Sequence, residues 1–126
     1  MTSANLQDYF GSDPARITWK IVRGDTSKLW INFLENDEDT GFNCEGWSYV
    51  AIAYNPKTDE EYELEVEYEG YSVVIIAPAD MTAEWGSIYG SVVAELLFDL
   101  QVDTGSEIWT PIVGTISVIG DVGGSL

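Results

Sequence analysis

The chain has 126 residues, among them 22 Asp plus Glu, 5 Lys plus Arg, one Cys and no His. That length suits a single domain, because roughly 100–150 residues close one core, and 45% hydrophobic against 21% charged residues describes a globular chain. The missing histidines exclude a Ser-His-Asp triad and His-ligated metals, the lone Cys44 excludes an internal disulfide, and a net charge of −17 opposes binding to phosphate backbones.

In chain order, residues 1–16 read as an N-terminal docking arm. Leu6, Tyr9 and Phe10 stand at i, i+3 and i+4, the spacing of one helical face, and Gly11-Ser12-Asp13-Pro14 then breaks the segment. Met1–Phe10 lacks the basic, apolar and small-residue order of a signal peptide. No apolar run reaches the roughly 18–20 residues that span a bilayer. Arg16, Lys20, Arg23 and Lys28 are four of the five bases, so residues 1–28 carry +1 and residues 29–126 carry −18. Interspersed surface charges of opposite sign are the simplest account of these bases.

Residues 17–122 read as the folded domain. Ile17, Trp19 and Ile21 alternate with polar residues, as do Leu29, Ile31 and Phe33, the two-residue period of a strand with one buried face. The strongest alternation covers 59–70, where Glu61, Glu63, Glu65, Glu67 and Glu69 interleave with Tyr62, Leu64, Val66 and Tyr68. Further strands are predicted at Trp47–Tyr54, Tyr71–Ala77, Tyr89–Val102 and Ile108–Ile119. Gly24-Asp25, Thr40-Gly41, Asn55-Pro56, Glu69-Gly70 and Thr104-Gly105 supply turn chemistry between them. Pro78–Glu84 is the one helical stretch of the body, a single turn crossing between sheets. About seven strands joined by short connections predict an all-β fold, an immunoglobulin-like antiparallel β-sandwich with a small barrel as second choice. Residues 123–126 form a Gly-rich tail.

Several patterns invite chemistry and are better explained by structure. Arg23-Gly24-Asp25 spells the integrin tripeptide, yet Gly-Asp between strands is ordinary turn chemistry. The acidic run Glu35–Gly41 offers ligands for a hard cation, but a calcium hand needs glycine sixth and glutamate twelfth, and here glycine falls seventh and Gly46 twelfth. No metal or cofactor is therefore expected. The glutamate ladder suits either a basic partner or protection of an exposed strand against edge pairing, and spacing leaves both open. With 22 acids some carboxylate pair always reaches glycosidase distance, so that pattern has no specificity. Cys44 has no histidine to activate it. An enzyme is not expected. Tryptophans on inward registers, such as Trp19, belong to the core; any exposed one could stack on a sugar.

The informative anomaly is surplus apolar surface. On the strand at 47–54, Trp47, Tyr49, Ala51 and Ala53 make one face while Val50, Ile52 and Tyr54 make the other; on 71–77, Val74 and Ile76 oppose Tyr71, Val73 and Ile75. A sandwich strand needs one apolar face, so the second predicts cover by the arm or another subunit. The partner-binding residues expected from this pattern are Leu6, Tyr9, Phe10, Val50, Ile52 and Tyr54.

The order of features from Ile17 to Val122 resembles a family of small β-sandwich modules in tailed bacteriophages, found among head-associated, tail-fibre and baseplate-type virion proteins. The matching features are the turn Arg23-Gly24-Asp25-Thr26, an acidic Gly-containing loop from Gly41 to Gly46-Trp47, the small-residue helical turn at 78–85, the strand start Gly86-Ser87-Ile88-Tyr89, and Gly114-Thr115-Ile116-Ser117-Val118 followed by Asp121-Val122. Phe42 and Cys44, and the long apolar strand to Val102, depart from the pattern. The resemblance implies a non-enzymatic virion structural protein assembled in the host cytoplasm, a capsid decoration or head-associated subunit bound to other virion proteins. A tail-fibre or baseplate adaptor, or a carbohydrate-binding module on the virion surface, is the alternative.

Overall fold

The computed structural model describes residues 14–32, 46–69, 72–85 and 92–120. Within them lie β1 (Ala15–Val22), β2 (Ser27–Asn32), β3 (Ser48–Asn55), β4 (Glu60–Glu69), β5 (Ser72–Ala77), a helical turn α1 (Ala79–Thr82), β6 (Val92–Asp103) and β7 (Ile108–Ile119). Each predicted strand is present over its described residues; Phe33, Tyr71 and residues 89–91 of the predicted strands lie outside them. β1 opens at Ala15, so Ala15 and Arg16, assigned to the arm by their sequence, pair with Ile112 and Val113 and belong to the sheet.

The strands hydrogen-bond in the order β1-β7-β6-β3-β4-β5-β2, a seven-stranded sheet that is sandwich-like and nearly closed on itself. β4 makes the fold by serving two neighbours. Leu64 and the residues before it pair with β3, while Glu65 and those after it pair with β5, so one strand carries the ladder from the larger layer to the smaller. At the other side of the barrel the short β1–β2 turn holds the two edge strands together, and the Trp19 indole N–H donates to Ser27 Oγ across the seam at 3.1 Å. All described ladders are antiparallel except β1 with β7, which is parallel. Hairpin connections force antiparallel pairing on sequence neighbours; β1 and β7 come from opposite ends of the fold and escape that constraint.

The core follows the period-two reading. Trp19 and Ile21 of β1, Ile31 of β2, Ala51 and Ala53 of β3, Leu64 of β4, Val73 and Ile75 of β5, Leu96, Phe98 and Leu100 of β6 and Ile112, Ile116 and Val118 of β7 form one buried cluster. Each fully buried aliphatic side chain contributes about 1.5–3 kcal/mol. Aromatic edges lock the layers: Trp19 meets Phe98 at 5.7 Å and Tyr62 meets Trp85 at 5.6 Å, both edge-on.

Two motifs far apart in sequence turn out to be halves of one device. The Arg23-Gly24-Asp25-Thr26 turn and α1 bond to each other. Thr82, fully buried, accepts the Gly24 N–H at 3.0 Å and donates its own hydroxyl proton to the Asp25 carbonyl at 2.8 Å. Thr26 Oγ1 accepts the Ala79 N–H at 3.2 Å, and the Arg23 guanidinium donates to the Ala83 carbonyl at 3.3 Å. Gly24 has φ +89°, a conformation that disfavours any side chain. The tripeptide thus works as a turn, with its arginine engaged by its own chain.

Candidate functional site: a groove on the outer face of the larger layer

The outward side chains of β1, β7, β6, β3 and β4 form two rows across the sheet. One row runs Arg16, Val113, Asp99, Ile52, Glu63, and the next runs Thr18, Thr115, Leu97, Tyr54, Glu61. With strands about 4.8 Å apart, each row crosses about 19 Å of surface. Residues of both rows line a groove of about 590 Å³ that includes Ile52, Tyr54, Leu97, Val113 and Asp99, with Arg16 and Glu61 towards opposite sides and Gly114 at its base.

Sequence and geometry set each member. In β6 the inward set Leu96, Phe98, Leu100 forces Leu97 and Asp99 outward. Leu97 is 52% exposed, a large aliphatic side chain with no core role. Tyr54 is held in place by its hydroxyl, which donates to Asp59 Oδ1 at 2.7 Å. That bond, with lesser contributions from burial and the Asp59 and Glu61 charges, pushes the phenol above its ordinary value. Asp59 itself sits at φ +61° and closes the β3–β4 hairpin by donating its N–H to the Asn55 carbonyl at 2.8 Å. The ring is therefore tied to the end of a tight turn.

Asp99 is the unusual member. Its register neighbours are Ile52 on β3 and Val113 on β7, both apolar. The side chain is exposed, and the partial desolvation it meets between them pushes its carboxyl above the ordinary carboxylate value. Among the described residues no cation or hydrogen-bond donor partners it, and Arg16, two strands away, makes no ion pair with it.

Of the expected partner-binding residues, Ile52 and Tyr54 line the groove, and Val50, 42% exposed, stands one step along β3 on the same face. Leu6, Tyr9 and Phe10 lie outside the described residues. The reading from sequence missed Leu97, Asp99 and Val113. The alternation of Leu96, Phe98 and Leu100 would have marked the first two as outward.

The second surplus face behaves differently. Val74 and Ile76 point outward from β5 yet are only 5% and 8% exposed. Across the ladder Val74 lies between Trp30 and Glu67, and Ile76 between Lys28 and Glu65. Both are already covered within the single chain, so this surface calls for no subunit to cover it. The glutamate ladder faces solvent as expected, with Glu61, Glu63, Glu65 and Glu67 exposed.

Among the tryptophans, Trp19, Trp85 and Trp109 are buried, and Trp47 packs edge-on to Trp109 at 6.4 Å; Trp30 is 59% exposed. No group of three or more metal-ligating side chains occurs among the described residues, and the acidic run 35–41 and Cys44 lie outside them. No protein-family model matches the chain, and no curated protein matches it.

Proposed function

We propose that this chain is a non-enzymatic structural protein of a tailed-phage virion, a capsid-decoration or head-associated subunit. It docks on other virion proteins through its N-terminal arm and the grooved face, leaving the glutamate ladder to solvent. The observation that carries the docking is the apolar surface that exposed Val50 and Leu97 and half-buried Ile52 and Tyr54 make on one sheet face. The virion assignment rests on the order of motifs along the chain. The bonds between the Gly-Asp-Thr turn and the small-residue helical turn give two of those motifs a common structural purpose. Repetition on a lattice makes weak single contacts sufficient.

The test is incorporation into particles assembled with wild-type chain, with Leu97→Asp and with a chain lacking residues 1–13, a cut that spares β1. Loss of incorporation in both altered chains is the expected result. Normal incorporation of Leu97→Asp would overturn the role of the groove, and labelling at tail tips in place of heads would move the protein to a fibre or baseplate. The exposed Trp30 favours a second reading, sugar binding at the smaller layer. A glycan-array signal abolished by Trp30→Ala is its signature.

A further inference from the structure

Building on the docking reading, we infer that the groove receives a segment of another protein that presents a lysine or arginine between apolar side chains, and that Asp99 is the residue the cation meets.

The inference starts from an acid in the wrong place. A carboxylate on a sheet face normally keeps its water or gains a cation. Asp99 is exposed and keeps water, but it has no cation, and apolar side chains flank it on both neighbouring strands. Ile52 and Val113 stand directly beside it in the register, Leu97 occupies the next outward position of its own strand, and the chain supplies no counter-charge. All five of the protein's bases are at Arg16, Lys20, Arg23, Lys28 and Lys57, and none pairs with Asp99. A carboxylate set among apolar side chains and unpaired in the free chain gains when a partner brings the missing charge and closes that apolar surface over it.

The surroundings define the rest of the ligand. Leu97, Ile52 and Tyr54 offer apolar contact next to the carboxylate, so the cation must be flanked by apolar groups to use both. Glu61 and Glu63 at the β4 end of the rows add negative potential, while Arg16 at the β1 end opposes a second base there. The groove thus has a direction: a base over Asp99, and an acid or neutral group towards β1. A chain of net charge −17 also attracts such a partner at long range.

The experiment uses the intact protein as bait for a displayed library of random twelve-residue peptides, with Leu97→Asp protein for counter-selection. The survivors should share a Lys or Arg flanked by apolar residues. The best of them, made synthetically, should bind Asp99→Asn protein about tenfold more weakly. Replacing its base by norleucine should cost the same factor, and the two changes together should cost little more than either alone. Survivors without a base, affinity indifferent to Asp99→Asn, or no survivors would each overturn the inference. So would competition by unlabelled copies of this chain, which would make the groove a contact between copies. Particle assembly separates the two levels. Incorporation lost with Leu97→Asp and kept in full with Asp99→Asn sinks the role of Asp99 alone; normal incorporation of Leu97→Asp sinks the docking reading itself.

Discussion

At the scale of single residues, Gly114 and Asp99 show how the groove is tied to stability. Gly114 sits where β7 is gripped by β1 and β6, opposite Ile17 and Phe98. A Cβ there would collide with the Ile17 carbonyl oxygen and lie 2.8 Å from Phe98 Cε1. Gly114→Ala must push β1 outward, and a loss of about 2–3 kcal/mol in denaturant unfolding is expected; a loss under about 0.5 kcal/mol would mean that the strands do not approach so closely. Asp99 acts in the other direction. Its folded-state pKa is raised above the ordinary 3.8, so the folded chain holds that proton more tightly than the unfolded one. The penalty is therefore full at neutral pH and fades as pH falls through the folded value towards 3.8. The nearest charges on the same face, Arg16 on β1 and Glu63 on β4, lie two strands away, and Glu61 is one row further. Asp99→Asn should unfold at a higher denaturant concentration than wild type at pH 7. The gap should narrow on acidification and close only as pH falls below 3.8; a gap that widens with acid contradicts the assignment.

At the scale of elements, β3 and β5 carry similar sequences and have different fates. Both are apolar on two faces, and alternation alone gave both the same expectation of a missing partner. The difference lies in their neighbours, which sequence distance conceals. β5 runs between Lys28 and Trp30 on one side and Glu65 and Glu67 on the other, whereas the outward residues of β3 abut Leu97 and Asp99. Val74→Asp should cost about 3 kcal/mol or more by burying an unpaired charge. Val50→Asp, at an equally outward but exposed position, should stay within about 0.5 kcal/mol. Equal effects from the two would erase the distinction. The strands themselves, the inward sets and the crossing turn α1 were legible because period two and turn residues are local signals. The parallel β1–β7 pair and the link from Gly24 to Thr82 were not, because each joins residues more than 50 positions apart; the shared β4 pairs near neighbours, but its change of partner between Leu64 and Glu65 leaves no break in the alternation. That link has its own test. Thr82→Val leaves the Gly24 N–H and Asp25 carbonyl without their partner, which costs about 1–3 kcal/mol, and Thr82→Ser restores most of it.

At the scale of the molecule, the fold separates its two surfaces by charge and by shape. The glutamate ladder runs down the outside of β4, the strand shared by both layers, so acid marks the boundary between the grooved face and the face that carries Trp30. A body of charge −17 repels its own copies, and packing such copies side by side on a lattice requires each to be held by something stronger than that repulsion. Under the proposed docking, the groove and residues 1–13 are two separate holds, and two tethered contacts would reinforce each other through effective concentration. The consequence is a measurable asymmetry. Raising salt from about 50 to 500 mM shortens the Debye length from about 14 to 4 Å. It should therefore strengthen attachment where neighbours repel and weaken the contribution from Asp99 to its cation. For wild-type chain on particles the two changes oppose each other; for Asp99→Asn only the first remains. Occupancy of particles by Asp99→Asn, measured by sedimentation at both salt concentrations, should rise with salt more steeply than that of wild type. A parallel response of the two proteins would show that no charge pair forms at Asp99, and a fall in both would show that attachment is driven by charges outside the groove.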